Sequence, residues 1–224
     1  MTDLDAEAPT PHRVLIVEDH VALGEALRLA VDMDAGLECT GVAGTVAEAL
    51  AMVAGEHPDV VLMDVNLPDG DGIEAAGRVK DLRPEAAVIV LTAGVEAGAL
   101  LRAARAGASG FLPKDTRLRA ILDGVRRAAS GEPVVSPTAL QTLLAAARLE
   151  GAGTPPVSSR DLSSEQQRLL GHMAEGEEMT AVAARLGISS EACRRQLGAA
   201  ADALGARSAL EAMATAARDG LLPR

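Results

Sequence analysis

"VVLMDVNLPDGDGIEA", residues 60–75, decides how this 224-residue chain is read. It opens inside a short apolar run, Asp59–Asp64, of the kind a buried parallel strand requires. The run stops on a carboxylate, Asp64. Asn66–Gly72 then supplies the Pro and Gly of a tight turn. A helical segment follows from Gly72 to Leu82. Strand, turn and helix make one βα unit, and open parallel sheets hold their ligands at the carboxyl ends of their strands.

The same alternation extends in both directions. "RVLIVE" (Arg13–Glu18) reads as a first strand, with a helical stretch after it to about Val31. "LECTGVA" (Leu37–Ala43) is a weaker strand, and Thr45 with Glu48 predicts a capping box for a helix through Val53. "AAVIVLTA" (Ala86–Ala93) and "GFLP" (Gly110–Pro113) read as the fourth and fifth strands. Helices near Val95–Ala106 and Arg117–Ala129 accompany them. The pattern predicts a doubly wound, five-stranded parallel sheet covered on both faces, an α/β domain over residues 13–130. Residues 1–12 read as a disordered tail.

From Ser136 only helices are visible. Ser136-Pro137 opens one to about Leu149. "EGAGTPPVSSR" (Glu150–Arg160) has linker composition, so residues 131–160 read as a helical linker with a flexible connector. Residues 161–224 read as a small all-α domain. Ser163/Gln166 and Ser208/Glu211 predict capping boxes within it.

Composition narrows the function classes. The net charge of −11 is uneven. Residues 1–130 hold 12 Lys/Arg against 21 Asp/Glu, giving −9, whereas residues 158–224 hold 8 against 9, giving −1. The acidity belongs to the α/β half, and the near-neutral helical half neither supports nor forbids a nucleic-acid partner. No apolar run approaches a membrane span, and the acidic start does not read as a signal peptide, so a cytoplasmic protein is expected. Cys39 and Cys193 read as two reduced thiols. The four histidines are scattered, so a histidine-based metal site is not expected. No Ser/His/Asp set or Gly-rich phosphate loop suggests a stand-alone enzyme.

Chemistry concentrates at the strand ends. Glu18 and Asp19 close the first strand, Asp64 the third and Thr92 the fourth, and Lys114 follows the fifth. On the expected fold all five meet on one rim. Clustered carboxylates repel, which favours a hard cation with oxygen ligands, and Mg²⁺ fits that description. A lysine and a hydroxyl beside it suit the oxygens of a transferring phosphoryl group. "VLIVEDH", "VVLMDVNLPDGDGIEA", "VIVLTAG" and "GASGFLPKD" together resemble the receiver domain of bacterial two-component response regulators. The resemblance implies a phosphorylation-controlled switch supplied by a sensor histidine kinase. It implies Asp64 as phosphoacceptor and Glu18, Asp19, Asp64 and the Asn66 backbone carbonyl as Mg²⁺ ligands. It implies Thr92 and Lys114 on the phosphoryl oxygens, Phe111 with Thr92 as the switch pair, and Asn66 and Gly94 tuning self-hydrolysis of the aspartyl phosphate. Phosphorylation-promoted homodimerisation is the further expectation.

Leu162–Ala212 resembles the LuxR-type helix-turn-helix of NarL-type regulators, with "GEEMTAVAARLGIS" as its strongest part. The resemblance implies a DNA-binding, transcription-regulating domain. Its expected contacts, to base edges and phosphates, are Arg194, Arg195 and Gln196; on base edges arginine suits guanine and glutamine adenine. The rest of that helix is poor in basic residues, with Gly198, Ala199, Asp202 and Ala203. A second reading therefore stands beside the first: a domain that has lost DNA and uses its alanine-rich face 199–203 for a protein partner or self-association.

Overall fold

A computed structural model describes residues 10–94, 96–152 and 162–222. The expected tail lies outside the described residues as far as residue 9, and the connector lies outside them over 153–160. Its strands are β1 (His12–Val17), β2 (Leu37–Ala43), β3 (Val60–Asp64), β4 (Asn66–Leu67), β5 (Gly70–Asp71), β6 (Ala87–Thr92) and β7 (Gly110–Pro113). Its first helices are α1 (Val21–Asp32), α2 (Val46–Glu56), α3 (Gly72–Leu82), α4 (Ala97–Arg105) and α5 (Leu118–Ala129). Then come α6 (Pro137–Gly151), α7 (Ser164–Ala174), α8 (Met179–Leu186), α9 (Ser190–Ala203) and α10 (Ala209–Arg218). His12, expected in the tail, already pairs with Leu37 in the sheet.

Five strands form one parallel sheet in the order β2-β1-β3-β6-β7, and β4 with β5 makes a two-residue antiparallel ribbon. Alternation along the strands builds two cores. Leu15, Val17, Val61, Met63, Val88 and Val90 face the side covered by α2, α3 and α4. Val14, Ile16, Val60, Leu62, Ile89 and Leu91 face the other side, against Leu27 and Val31 of α1 and Ile121 and Val125 of α5. Burial on both faces explains the unbroken apolar runs at residues 14–17, 60–63 and 87–91 in β1, β3 and β6.

The first core does not end at the sheet. It runs through Leu100 and Ala103 of α4 into Leu140, Leu143 and Leu144 of α6, and on to Met213 of α10. Helix α6 packs against both α4 and α10. The helical part of the expected linker, α6, is thus packed, and Gly151 at its end lies so close to α10 that a Cβ there would stand 2.1 Å from the Arg218 carbonyl oxygen.

The capping boxes turned out differently from one another. At α7 both arms form: the Ser163 hydroxyl accepts from Gln166 N and the Gln166 side chain accepts from Ser163 N. At α2 and α10 the hydroxyl arm forms, but Glu48 and Glu211 reach one residue further back, to the amides of Gly44 and Arg207. Either arrangement satisfies orphan N–H groups at the helix start.

Candidate functional site

The carboxyl edge of the sheet brings the five strand-end residues together. β1 ends beside Glu18 and Asp19, and β3 delivers Asp64 from the strand between β1 and β6. β7 lies beside β6, so Lys114 follows next to Thr92, and the Lys114 amide donates to the Thr92 carbonyl at 2.7 Å. The Lys114 ammonium donates to Asp64 Oδ2 at 2.7 Å and to Glu18 Oε1 at 3.0 Å. Burial works against that ammonium, but the hydrogen bonds and charges of Asp64 and Glu18 outweigh it and raise its pKa.

The turn after Asp64 is held from several sides. The Asn66 amide donates to Asp64 Oδ1 at 3.2 Å. Asp69 accepts from the amides of Val46 and Ala47 at the start of α2. Asp71 caps α3 through the Ile73 amide and pairs with Arg102 of α4 at 2.8 Å. Gly72 lies against the backbone of Asp64, where a Cβ would stand 1.7 Å from the Asp64 carbonyl oxygen. Only glycine allows α3 to start this close to the strand that carries Asp64.

The donor set fits a hard divalent cation. Glu18 and Asp64 are 2% and 1% exposed, so both carboxylates are largely removed from water. Three carboxylates face one lysine, a formal excess of two negative charges. Glu18 Oε2, fully buried, lies 2.9 Å from Lys114 Nζ but accepts no aligned hydrogen bond. A cation held by Glu18, Asp19 and Asp64 would complete that shell. Asn66 stands on the exposed turn at the same edge.

Thr92 is buried, and its hydroxyl donates to the Gly94 carbonyl at 2.9 Å rather than reaching Asp64. Gly94 is exposed, with no heavy atom within 4 Å of where its Cβ would be. Phe111 is fully enclosed in the first core.

Two features escaped the sequence. The Phe111 amide donates to the Val134 carbonyl at 2.7 Å, and Val134 N donates to Ser109 O at 3.0 Å. The segment before α6 thereby extends the sheet beyond β7; "PVV" (Pro133–Val135) was its only sequence trace. The second is His20. Its Nδ1 lies 2.9 Å from Asp19 Oδ1 and 3.0 Å from Glu18 Oε1, and the hydrogen bond to Glu18, then the charges of Asp19 and Glu18, raise its pKa. Adjacency to the acidic pair was the available signal.

In the helical half, α8 and α9 form a helix-turn-helix. Gly187 ends α8 with φ +69°, the left-handed cap that favours glycine, and Ser189 caps α9 through the Ala192 amide. The three residues expected to read DNA are not equally free. Arg195 is exposed and pairs with Glu191 on its own helix at 3.0 Å. Arg194 Nε is buried without a hydrogen bond, 3.8 Å from Glu132 Oε1 of the segment between α5 and α6. Gln196 Oε1 is likewise buried without a hydrogen bond. Nor is the alanine run an open face. Ala200 and Ala201 are buried in the effector's own packing and Ala203 is half-buried, which leaves Ala199 exposed.

The halves also meet at the corner between α9 and α10. The Arg207 guanidinium donates to Asp81 at 3.2 Å and to the Arg105 carbonyl at 2.5 Å, across Gly107. Arg105 in turn pairs with Glu150 of α6.

Sheet order, acidic edge and lysine define a phosphoacceptor switch domain joined to a helix-turn-helix. Residues 14–126 match the response regulator receiver domain, and the chain belongs to that family. It is 33% identical over 174 residues to the DNA-binding transcriptional activator DevR/DosR of Mycobacterium tuberculosis, covering 78% of this chain and 79% of that one. It is 27% identical to the transcriptional regulatory protein YdfI of Bacillus subtilis, covering 94% and 98% of the two chains. A LuxR-family two-component response regulator structure from Aurantimonas superposes with a TM-score of 0.56 at 26% identity, covering 60% of this chain and 96% of that one. These relatives are regulators rather than enzymes. The function is phosphorylation-controlled regulation of transcription. Among the described residues, no helix is long and apolar enough to cross a membrane.

Proposed function

We propose that Asp64 takes a phosphoryl group from the phosphohistidine of a sensor histidine kinase, and that this changes how the receiver holds a DNA-binding domain. The observation that carries the reading is the Lys114 bridge between two buried carboxylates at the sheet edge. A carboxylate oxygen of Asp64 forms the new P–O bond, the P–N bond breaks, and the imidazole leaves with the electron pair and is protonated. Mg²⁺, held by Glu18, Asp19, Asp64 and the Asn66 carbonyl, would neutralise charge on the transferring group. Lys114 then turns from Asp64 to the phosphoryl oxygens, and Thr92 gives up its bond to Gly94 to join it. Water later hydrolyses the aspartyl phosphate. With Asn66 on an exposed turn and no side chain on Gly94, its path is open.

The proposed domains are a receiver (13–130), a linker (131–160) whose helix α6 is packed between the halves, and an effector (161–224). Thr92 and Phe111 act as the switch pair. Phe111 shares backbone hydrogen bonds with Val134, two residues before the Ser136 cap of α6, so movement of β7 reaches that helix directly. Two contacts support reading this arrangement as an off state: α4 is covered by α6 and α10, and Arg194 faces Glu132. Release would expose α4 for pairing of two receivers and free α9 for DNA. Both proposed partners, kinase and DNA, are met in the cytoplasm.

DNA is favoured over the protein-partner reading because two of the five residues of the alanine face, Ala200 and Ala201, are internal. The test is a gel shift with phosphorylated protein on genomic fragments at low salt. The double variant Arg194→Ala/Arg195→Ala is expected to bind weakly, and its salt slope to fall by about 1 for each of the two arginines that touches a phosphate. No shift with the wild-type phosphoprotein would sink DNA binding.

A further inference from the structure

The histidine that the sequence left unassigned sits on the cation site. Glu18, Asp19, His20 and Asp64 each offer one ligand atom, and these atoms all lie within 4.8 Å of one another. Nδ1 of His20 is 2.9 Å from Asp19 Oδ1 and 3.0 Å from Glu18 Oε1. Two neighbouring ligands at about 2.1 Å from an octahedral ion are about 3 Å apart; the imidazole nitrogen stands at that spacing beside the two carboxylates, where its hydrogen bond to Glu18 would give way to the ion. The side chain is 73% exposed and is the N-cap residue of α1 without making a cap hydrogen bond, so helix capping does not occupy it. Glu18 Oε2 is buried and accepts no aligned hydrogen bond, with Lys114 Nζ 2.9 Å away, so it has a lone pair left for an ion.

We infer that His20 is a nitrogen ligand that turns this acidic pocket into a site preferring a first-row transition ion over Mg²⁺. The inference rests on the cation site described above and adds its selectivity. Carboxylates, carbonyls and waters suit Mg²⁺, Ca²⁺ and Mn²⁺ alike, whereas an imidazole adds affinity along the order Mn²⁺ to Zn²⁺ and little for Mg²⁺. Mn²⁺ therefore competes with Mg²⁺ in this pocket more strongly than the oxygen ligands alone would allow. The ion in place then governs how fast Asp64 takes and loses its phosphoryl group.

The test uses the full chain with Mn²⁺ or Mg²⁺ alone as probe. Equilibrium dialysis measures the two affinities, and pulsed electron paramagnetic resonance on protein carrying ¹⁵N-histidine reads nitrogen bound to Mn²⁺. Wild type is expected to show a directly coordinated ¹⁵N signal that His20→Ala and His20→Gln lose. Both variants should lower Mn²⁺ affinity about tenfold and Mg²⁺ affinity less than about twofold. Asp64→Asn marks the site, since it should weaken both ions. Mn²⁺ binding that Asp64→Asn weakens, with no nitrogen signal and unchanged affinity in the His20 variants, overturns the inference alone. Binding unaffected by Asp64→Asn, or none, overturns the cation site and the inference together.

Discussion

Asp64→Asn is expected to abolish phosphorylation by small-molecule donors and by a kinase alike. Asparagine keeps the volume of a side chain that is 1% exposed, so the fold should survive, but its amide cannot form an acyl phosphate. Incorporation of labelled phosphate should fall at least about 1000-fold, about 4 kcal/mol in the barrier. In wild type the label should be acid-stable, base-labile and gone within hours of removing the donor. Label retained in Asp64→Asn would move the acceptor elsewhere and remove the basis of the mechanism.

The second large effect is structural. Gly72→Ala should destabilise the receiver by about 4 kcal/mol or more, at the exceptional end for one substitution. The added methyl would stand 1.7 Å from the Asp64 carbonyl oxygen and 2.8 Å from its carbon. Both are backbone atoms of the acceptor strand, so no side-chain movement relieves the clash, and α3 would have to leave the sheet. Gly198→Ala is the contrast. Nothing lies within 4 Å of its Cβ position inside α9, and the change should stabilise that helix by about 1 kcal/mol. Denaturant titration of the two variants measures both. A Gly72→Ala protein as stable as wild type would mean that the turn after Asp64 is looser than its contacts indicate.

The sheet and its acidic edge were legible because the information is local. Asp64, Glu18 and Thr92 each stand at the end of a short apolar run, and the parallel fold alone brings those ends together. β2, β7 and α3 fall on the residues expected of them, and the other expected boundaries shift by one to three residues, the largest shift being the end of α2 at Glu56 instead of Val53. What the sequence hid depends on contacts between distant residues. The packing of α6 on α4 joins apolar positions about forty residues apart, and nothing in "ALQTLLAAARLEG" (residues 139–151) says which face meets which helix. The Val134 extension of the sheet depends on Gly110 and Gly124 leaving room for that side chain. Arg194 was read for DNA from its place on α9, and its approach to Glu132 arises only when the helical half packs against the segment before α6. His20 was dismissed with the scattered histidines because spacing alone does not reveal that its ring folds back onto Glu18.

The most direct test of the account compares DNA affinity before and after phosphorylation in one preparation at fixed salt. An account in which Asp64 controls the grip of the receiver on α9 and α10 predicts that the phosphorylated wild type binds at least about tenfold more tightly, a coupling of about 1.4 kcal/mol. Asp64→Asn, treated with the same donor, should show a ratio of one. Equal affinities for the two forms of the wild type, with phosphate verified on Asp64, would contradict it.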